Sequence, residues 1–144
     1  SARDTNEKMP QDVVKKTVEI LHKHYQNETS TSIIVLGVAY KANISDIRES
    51  PVIEIIKLLK SIGFNISYHD PFVPQILLND QKFSNVKLES IELTKDLIKD
   101  SRTILIGTNH SCLPYQLLAD YAAIIIDTRN SMHSFEVQGE LYKV

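Results

Sequence analysis

Three short apolar runs constrain this chain more than any other feature: Ile33-Ile34-Val35-Leu36, Thr103-Ile104-Leu105-Ile106-Gly107 and Ala123-Ile124-Ile125-Ile126-Asp127. Each is too short for a helix and rich in β-branched residues, so each reads as a strand buried on both faces. Helical signals fall between them. Met9-Pro10 opens a first helix that ends near Gln26, with Val14, Val18, Leu21 and Tyr25 on one face. A polar linker, 27–32, leads into the first strand. Ser50 is a good N-cap with Pro51 at the first helical position, Val52, Ile55, Ile56 and Leu59 form an apolar stripe, and Gly63 stops that helix. Phe64 to His69 is the next strand, and the crossover into it is expected to be right-handed. Weaker signals suggest a helical turn at Ile76 to Asp80, a strand at Val86 to Leu88 and a helix from Ser90 or Thr94 to Lys99. They also suggest a helical turn at Pro114 to Asp120 and an edge strand at Glu140 to Val144. The alternation predicts an α/β fold: a Rossmann-like, doubly wound, mostly parallel sheet with helices on both faces.

At 144 residues and 42% hydrophobic content, the chain has the size of one compact domain. A net charge of -2 and a pI near 6.2 give no concentrated basic face, which argues against nucleic acid as a partner. A small molecule or another protein is the expected partner. The single cysteine, Cys112, has no partner for an internal disulfide and cannot build a cysteine-rich metal site, so a reduced, cytoplasmic setting is expected. No apolar run approaches membrane-spanning length, and the polar start Ser1 to Lys8 does not read as a signal peptide.

Open α/β sheets bind ligands beyond the carboxyl ends of their strands, which directs attention to the loop Gly37 to Pro51. One glycine, Gly37, is followed by Val38 and Ala39, so the G-x-G-x-x-G dinucleotide fingerprint is absent, and no Walker lysine pattern replaces it. Lys41 and Arg48 flank this loop, and Arg129 follows the last core strand. Three cations at one sheet edge would suit an anionic ligand such as a diphosphate, since arginine grips phosphate bidentately and lysine adds a point charge. The opposing reading pairs Arg48 with Asp46 or Glu49 and Arg129 with Asp127, and leaves Lys41 solvated.

Five separated segments together carry a resemblance. Gly37-Val38-Ala39-Tyr40-Lys41, Asp46-Ile47-Arg48-Glu49-Ser50-Pro51, Tyr68-His69-Asp70-Pro71-Phe72-Val73-Pro74, Thr108-Asn109-His110 and Asp127-Thr128-Arg129-Asn130 resemble the C-terminal domain of the UDP-glucose/GDP-mannose dehydrogenase family. Within it the chain is most similar to UDP-N-acetylglucosamine and UDP-N-acetylmannosamine 6-dehydrogenases. Ala2-Arg3, Asn6 and Met9-Pro10 resemble the end of the family's central helical region. The resemblance therefore implies two parts: 1–30 as helix and linker from that region, and 31–144 as a UDP-sugar-binding domain.

The family oxidises a sugar C6 alcohol to a carboxylate by two NAD-dependent hydride transfers, through a thiohemiacetal and thioester on a cysteine. By the resemblance, Tyr40 and Lys41 contact the nucleotide sugar and Arg129 lies near the substrate and cofactor cleft. Arg48 either joins them or orders the loop through Asp46. The family's NAD fingerprint and nucleophile lie in N-terminal and central regions, so this piece is expected to hold a UDP-N-acetylhexosamine, to depend on those domains as partners, and to be inactive alone. The whole enzyme is expected to be a homo-oligomer that uses NAD.

Ser111-Cys112-Leu113-Pro114 imitates part of the family's catalytic cysteine segment. It follows His110 rather than paired glycines and continues with Tyr115-Gln116, so it is read as accidental and no catalytic residue is assigned. His22, His24 and His133 show no metal-ligand spacing, and His69 reads as a hydrogen-bonding loop residue. A rival from another class is a receiver-like, flavodoxin-type regulatory module. It would need an acidic pair after the first strand, where Gly37-Val38-Ala39 stands.

Overall fold

The computed structural model describes residues 2–26 and 31–144. Five parallel strands form the main sheet in the order β2-β1-β5-β6-β7. They are β1 (Ser32–Leu36), β2 (Asn65–His69), β5 (Thr103–Ile106), β6 (Ile124–Asp127) and β7 (Glu140–Lys143). Two short strands, β3 (Gln75–Leu78) and β4 (Val86–Glu89), pair antiparallel beside it. The helices are α1 (Ala2–Tyr25), α2 (Pro51–Ile62), α3 (Lys95–Asp100) and α4 (Tyr115–Tyr121). Most of the 27–32 linker falls on 27–30, outside the described residues.

Every residue of β5 and β6 is buried, as is β1 after Ser32. Alternate residues of these strands feed two separate cores. Ile33, Val35, Leu105 and Ile126 pack with Val13 and Leu21 of α1 and Val52, Ile55 and Leu59 of α2. Ile34, Leu36, Ile104, Ile106 and Ile125 pack with Ile98 of α3 and Leu118 of α4. Helices thus cover both faces, as the continuous apolar runs require, because a strand with no polar face has to be covered twice. Each fully buried branched side chain contributes roughly 1.5–3 kcal/mol of transfer free energy.

Helix α2 is closed at both ends by its sequence. Ser50 Oγ accepts the Val52 N–H, and Gly63, at φ 117, turns its own N–H back to the Leu59 and Lys60 carbonyls. Thr94, rather than Ser90, caps α3 by accepting the Leu97 N–H.

Two sequence expectations need correction. The first helix does not open at Met9-Pro10: α1 begins at Ala2 and carries Pro10 inside it. That proline removes one backbone donor without ending the helix. Ile76 to Asp80 is not a helical turn, because Gln75–Leu78 is a strand whose Ile76 and Leu78 face the core and pair with Leu88 and Val86.

Truncating a central strand should be costly. Ile106→Ala is expected to lower the unfolding free energy by about 2–5 kcal/mol in urea titrations. A loss under about 1 kcal/mol would contradict a β5 buried on both faces.

Candidate functional site

Because the five strands are parallel, the loops after β1, β2, β5 and β6 leave from one edge. The chain moves from β1 outward to β2 and later returns to β5 on the other side of β1, so the switch point of the sheet lies between β1 and β5. Two glycines let the elements meet there. Gly37 has φ 79, and a Cβ on it would lie 2.3 Å from the Thr108 carbonyl oxygen. A Cβ on Gly107 would lie 2.6 Å from Val52 Cγ1 of α2. The Thr108 hydroxyl then donates to the Ala39 carbonyl at 2.7 Å, and the Ser50 hydroxyl donates to the Val38 carbonyl at 2.7 Å.

The loop after β1 closes on itself where the Tyr40 N–H donates to the Asp46 carbonyl at 2.7 Å. At its tip stands Asn43, in the left-handed region at φ 66, a conformation asparagine tolerates better than most residues. The Asn43 N–H donates to His110 Nδ1 at 2.8 Å. Its side chain bonds Ser111 twice, accepting from the Ser111 N–H at 2.9 Å and donating to Ser111 Oγ at 3.0 Å. His110 is fully buried and lies 2.9 Å through Nε2 from Asp70 Oδ2. Asp70, at the end of β2, also accepts the Val38 N–H at 2.8 Å and the Phe72 N–H at 2.8 Å. The Phe72 ring lies against the imidazole with centroids 4.7 Å apart. The Tyr115 hydroxyl donates to the His110 carbonyl at 2.6 Å, and burial raises that phenol above its ordinary pKa.

The cations named from sequence take different positions. Tyr40 is 47% exposed and Lys41 beside it is also exposed. Arg48 is spread over Asp46, with Nε 3.1 Å from Oδ1 and Nη2 2.9 Å from Oδ2. These bonds hold the Asp46 carboxyl down at about 2. The pairing expected for Arg48 is therefore observed. For Arg129, it is the backbone N–H that donates to Asp127 Oδ1, at 3.0 Å.

Arg129 lines an open cleft of about 680 Å³ with Asn109, Asp127, Thr128, Asn130 and Lys143. Lys41 and Arg48 do not line that cleft. The loop after β5 links the two regions, since Asn109 faces the cleft while His110 and Ser111 hold Asn43. Asn109 and Lys143 were not singled out as ligand contacts from sequence. Thr-Asn-His 108–110 was visible as a motif, whereas Lys143 joins the cleft only because β7 pairs beside β6 with Lys143 opposite Asp127. His69 does form the expected loop bond, its Nδ1 2.7 Å from the Ile91 carbonyl.

A parallel sheet of this order, with helices on both faces and polar loops beyond its strand ends, is an α/β domain of the Rossmann-like class. Residues 34–134 match the UDP-glucose/GDP-mannose dehydrogenase family, UDP binding domain. The chain belongs to that family. It is 34% identical over 140 residues to the UDP-glucose 6-dehydrogenase of Rickettsia bellii, covering 93% of this chain and 31% of that protein. It is 33% identical over 97 residues to the UDP-N-acetyl-D-mannosamine dehydrogenase of Campylobacter jejuni, covering 67% of this chain and 23% of that one. Among solved structures it superposes on the UDP-N-acetyl-mannosamine dehydrogenase Cap5O of Staphylococcus aureus with a TM-score of 0.71. That match is 27% identical and covers 98% of this chain and 31% of that one. It shares the fold of the UDP-D-ManNAc dehydrogenase of Pyrococcus horikoshii with a TM-score of 0.76 at 23% identity, covering 99% of this chain and 32% of that one. The chain thus spans between 23% and 32% of the length of these relatives.

The Asp46–Arg48 pair has a direct test. Asp46 should titrate near 2 in carboxyl-carbon NMR, and Arg48→Ala should return it toward 3.8. With the folded value depressed, the carboxylate's contribution is complete above 3.8 and fades as pH falls through about 2. An Asp46 titration unchanged by Arg48→Ala would refute the pairing.

Proposed function

We propose that this chain is the substrate-nucleotide half of an NAD-dependent UDP-N-acetylhexosamine 6-dehydrogenase. The observation that carries the reading is the coincidence of the UDP binding family match over 34–134 with an exposed Tyr40–Lys41 pair on a loop anchored at the switch point. In this reading Lys41 supplies a point charge to the diphosphate or a donor to sugar hydroxyls, and Tyr40 lays its ring along the nucleotide sugar. Arg129 brings a planar fork to the neighbouring cleft, where Asn109 and Asn130 add amide groups. Arg48, already spread over Asp46, acts by shaping the loop.

The acetamido substrate is supported by several relatives that carry the UDP-N-acetyl-D-mannosamine dehydrogenase name, such as those of Campylobacter jejuni and Methanococcus maripaludis. On this reading NAD is bound outside the chain's own sheet. The turn after β1 does not fit a pyrophosphate, because its one glycine is taken up by the approach of Thr108 and a long loop separates the strand from α2. The reacting carbon and its nucleophile likewise belong to other parts of the enzyme, so the residues here bind and orient.

Calorimetry with UDP tests the assignment. Lys41→Ala and Arg129→Ala are each expected to weaken UDP binding by about 10–100-fold, the range of a lost charge-assisted contact. Arg48→Ala should change it by less than about threefold, in keeping with an exposed ion pair. A UDP affinity indifferent to both Lys41→Ala and Arg129→Ala would refute the reading.

A further inference from the structure

The contacts of His110 fix a protonation state. The Asn43 N–H can only donate, and it meets Nδ1 at 2.8 Å, so Nδ1 presents a lone pair and carries no proton. A neutral imidazole then holds its proton on the other nitrogen, and Nε2–H is the donor to Asp70 Oδ2 at 2.9 Å. This state reaches the proposed ligand loop directly. All three tip bonds of that loop, from the Asn43 backbone and side chain, end on His110 and Ser111. The base of the loop is closed by the Tyr40 to Asp46 bond, so Lys41 sits between a closed base and a tip held by one imidazole and its neighbour.

We propose that His110, in its neutral Nε2–H form, is the positioning residue that sets the Tyr40–Lys41 loop for the nucleotide sugar, and that a proton added at Nδ1 breaks the Asn43 amide bond and loosens the loop. The proposal rests on the reading of Lys41 as a ligand contact. Protonation would set two N–H groups against each other at Asn43, and that pair has to separate. The groups packed on the ring are Asp70 from the β2 end, the Phe72 ring, and Asn43 from the β1 loop. Tyr115 of α4 reaches the His110 carbonyl, and Cys112 nearby is exposed. Asp70 is the carboxylate in contact with the ring, so the added proton exchanges the Asn43 bond for an ion pair with Asp70. Ring protonation therefore loosens the loop at the Asn43 amide, with the Ser111 bonds left in place, and weakens ligand binding, while Asp70 keeps its partner.

Long-range proton–nitrogen NMR of this 144-residue chain decides the point without any ligand. At neutral pH the expected spectrum shows His110 unprotonated at Nδ1 and protonated at Nε2. The Asn43 amide and the resonances of 40–46 should then move together with the ring as pH is lowered. A proton on Nδ1 at neutral pH, or an Asn43 amide that ignores the ring's titration, overturns the proposal. Calorimetry with UDP supplies the second arm. His110→Asn keeps an acceptor near the Nδ1 position but cannot titrate, so its UDP affinity, compared with its own value at neutral pH, should lose the acid dependence of the unmodified chain. His110→Phe offers no acceptor and should weaken binding about tenfold at every pH. Equal acid dependence in His110→Asn and the unmodified chain also overturns the proposal. If the unmodified chain binds no UDP at any pH, the functional reading fails alone and the NMR result still decides the relay.

Discussion

The carboxylate of Asp70 holds the working edge of the sheet together. It is 1% exposed, and burying an ion costs several kcal/mol unless its remaining lone pairs are satisfied. Here they are satisfied by three segments. Val38 donates from the turn after β1, Phe72 from Asp70's own loop, and His110 from the loop after β5. One acceptor thus ties the ends of three neighbouring strands, β2, β1 and β5. The close approach of Gly37 to Thr108 continues the β1–β5 pairing, in which the Gly107 and Thr108 N–H groups both donate to the Leu36 carbonyl, at a point where a side chain would collide. The same tie carries outward through the imidazole to Asn43.

Filling the switch point with the chain's own polar groups changes what the fold offers. In a dinucleotide domain the crevice at that point receives the ligand, and glycines make room for it. Here His110, Asn43 and Ser111 bridge it. The groups left outward are Tyr40 and Lys41 on one loop and the Arg129 cleft beside the other. The edge is therefore a pre-set surface rather than an enclosed pocket. On the proposed reading that is what a half-site needs, because a second body has to supply the opposing wall.

Much of the architecture was legible because it is written in local pattern. The runs at β1, β5 and β6 have no polar face, and α2 carries its start and stop in Ser50-Pro51 and Gly63. The misreadings have equally local causes. Gln75–Leu78 is four residues long, too short for its periodicity to separate strand from turn, and its partner β4 lies beyond an intervening loop. Pro10 reads as a helix start because proline suits that position, yet here it lies inside α1, where it costs a backbone hydrogen bond and crowds the preceding turn without ending the helix. In the site, the Asp46–Arg48 pair was readable two residues apart. The links from His110 to Asp70 and Asn43 span 40 and 67 residues, and no spacing rule reaches that far. The motifs containing these residues were visible, but the bond between them was not.

The strand order is neutral about function, since the flavodoxin-type arrangement serves signalling, redox and nucleotide-binding proteins alike. What separates these uses is the chemistry of the first loops. A receiver-like module would place carboxylates directly after β1, where this chain has Val38 and Ala39, both buried. Asp70, buried at the end of β2, already accepts from three donors. The glycine that a dinucleotide domain would turn toward phosphate is turned here toward Thr108. The turn after β1 is thus an internal brace, and the longer loop beyond it carries Tyr40 and Lys41 outward.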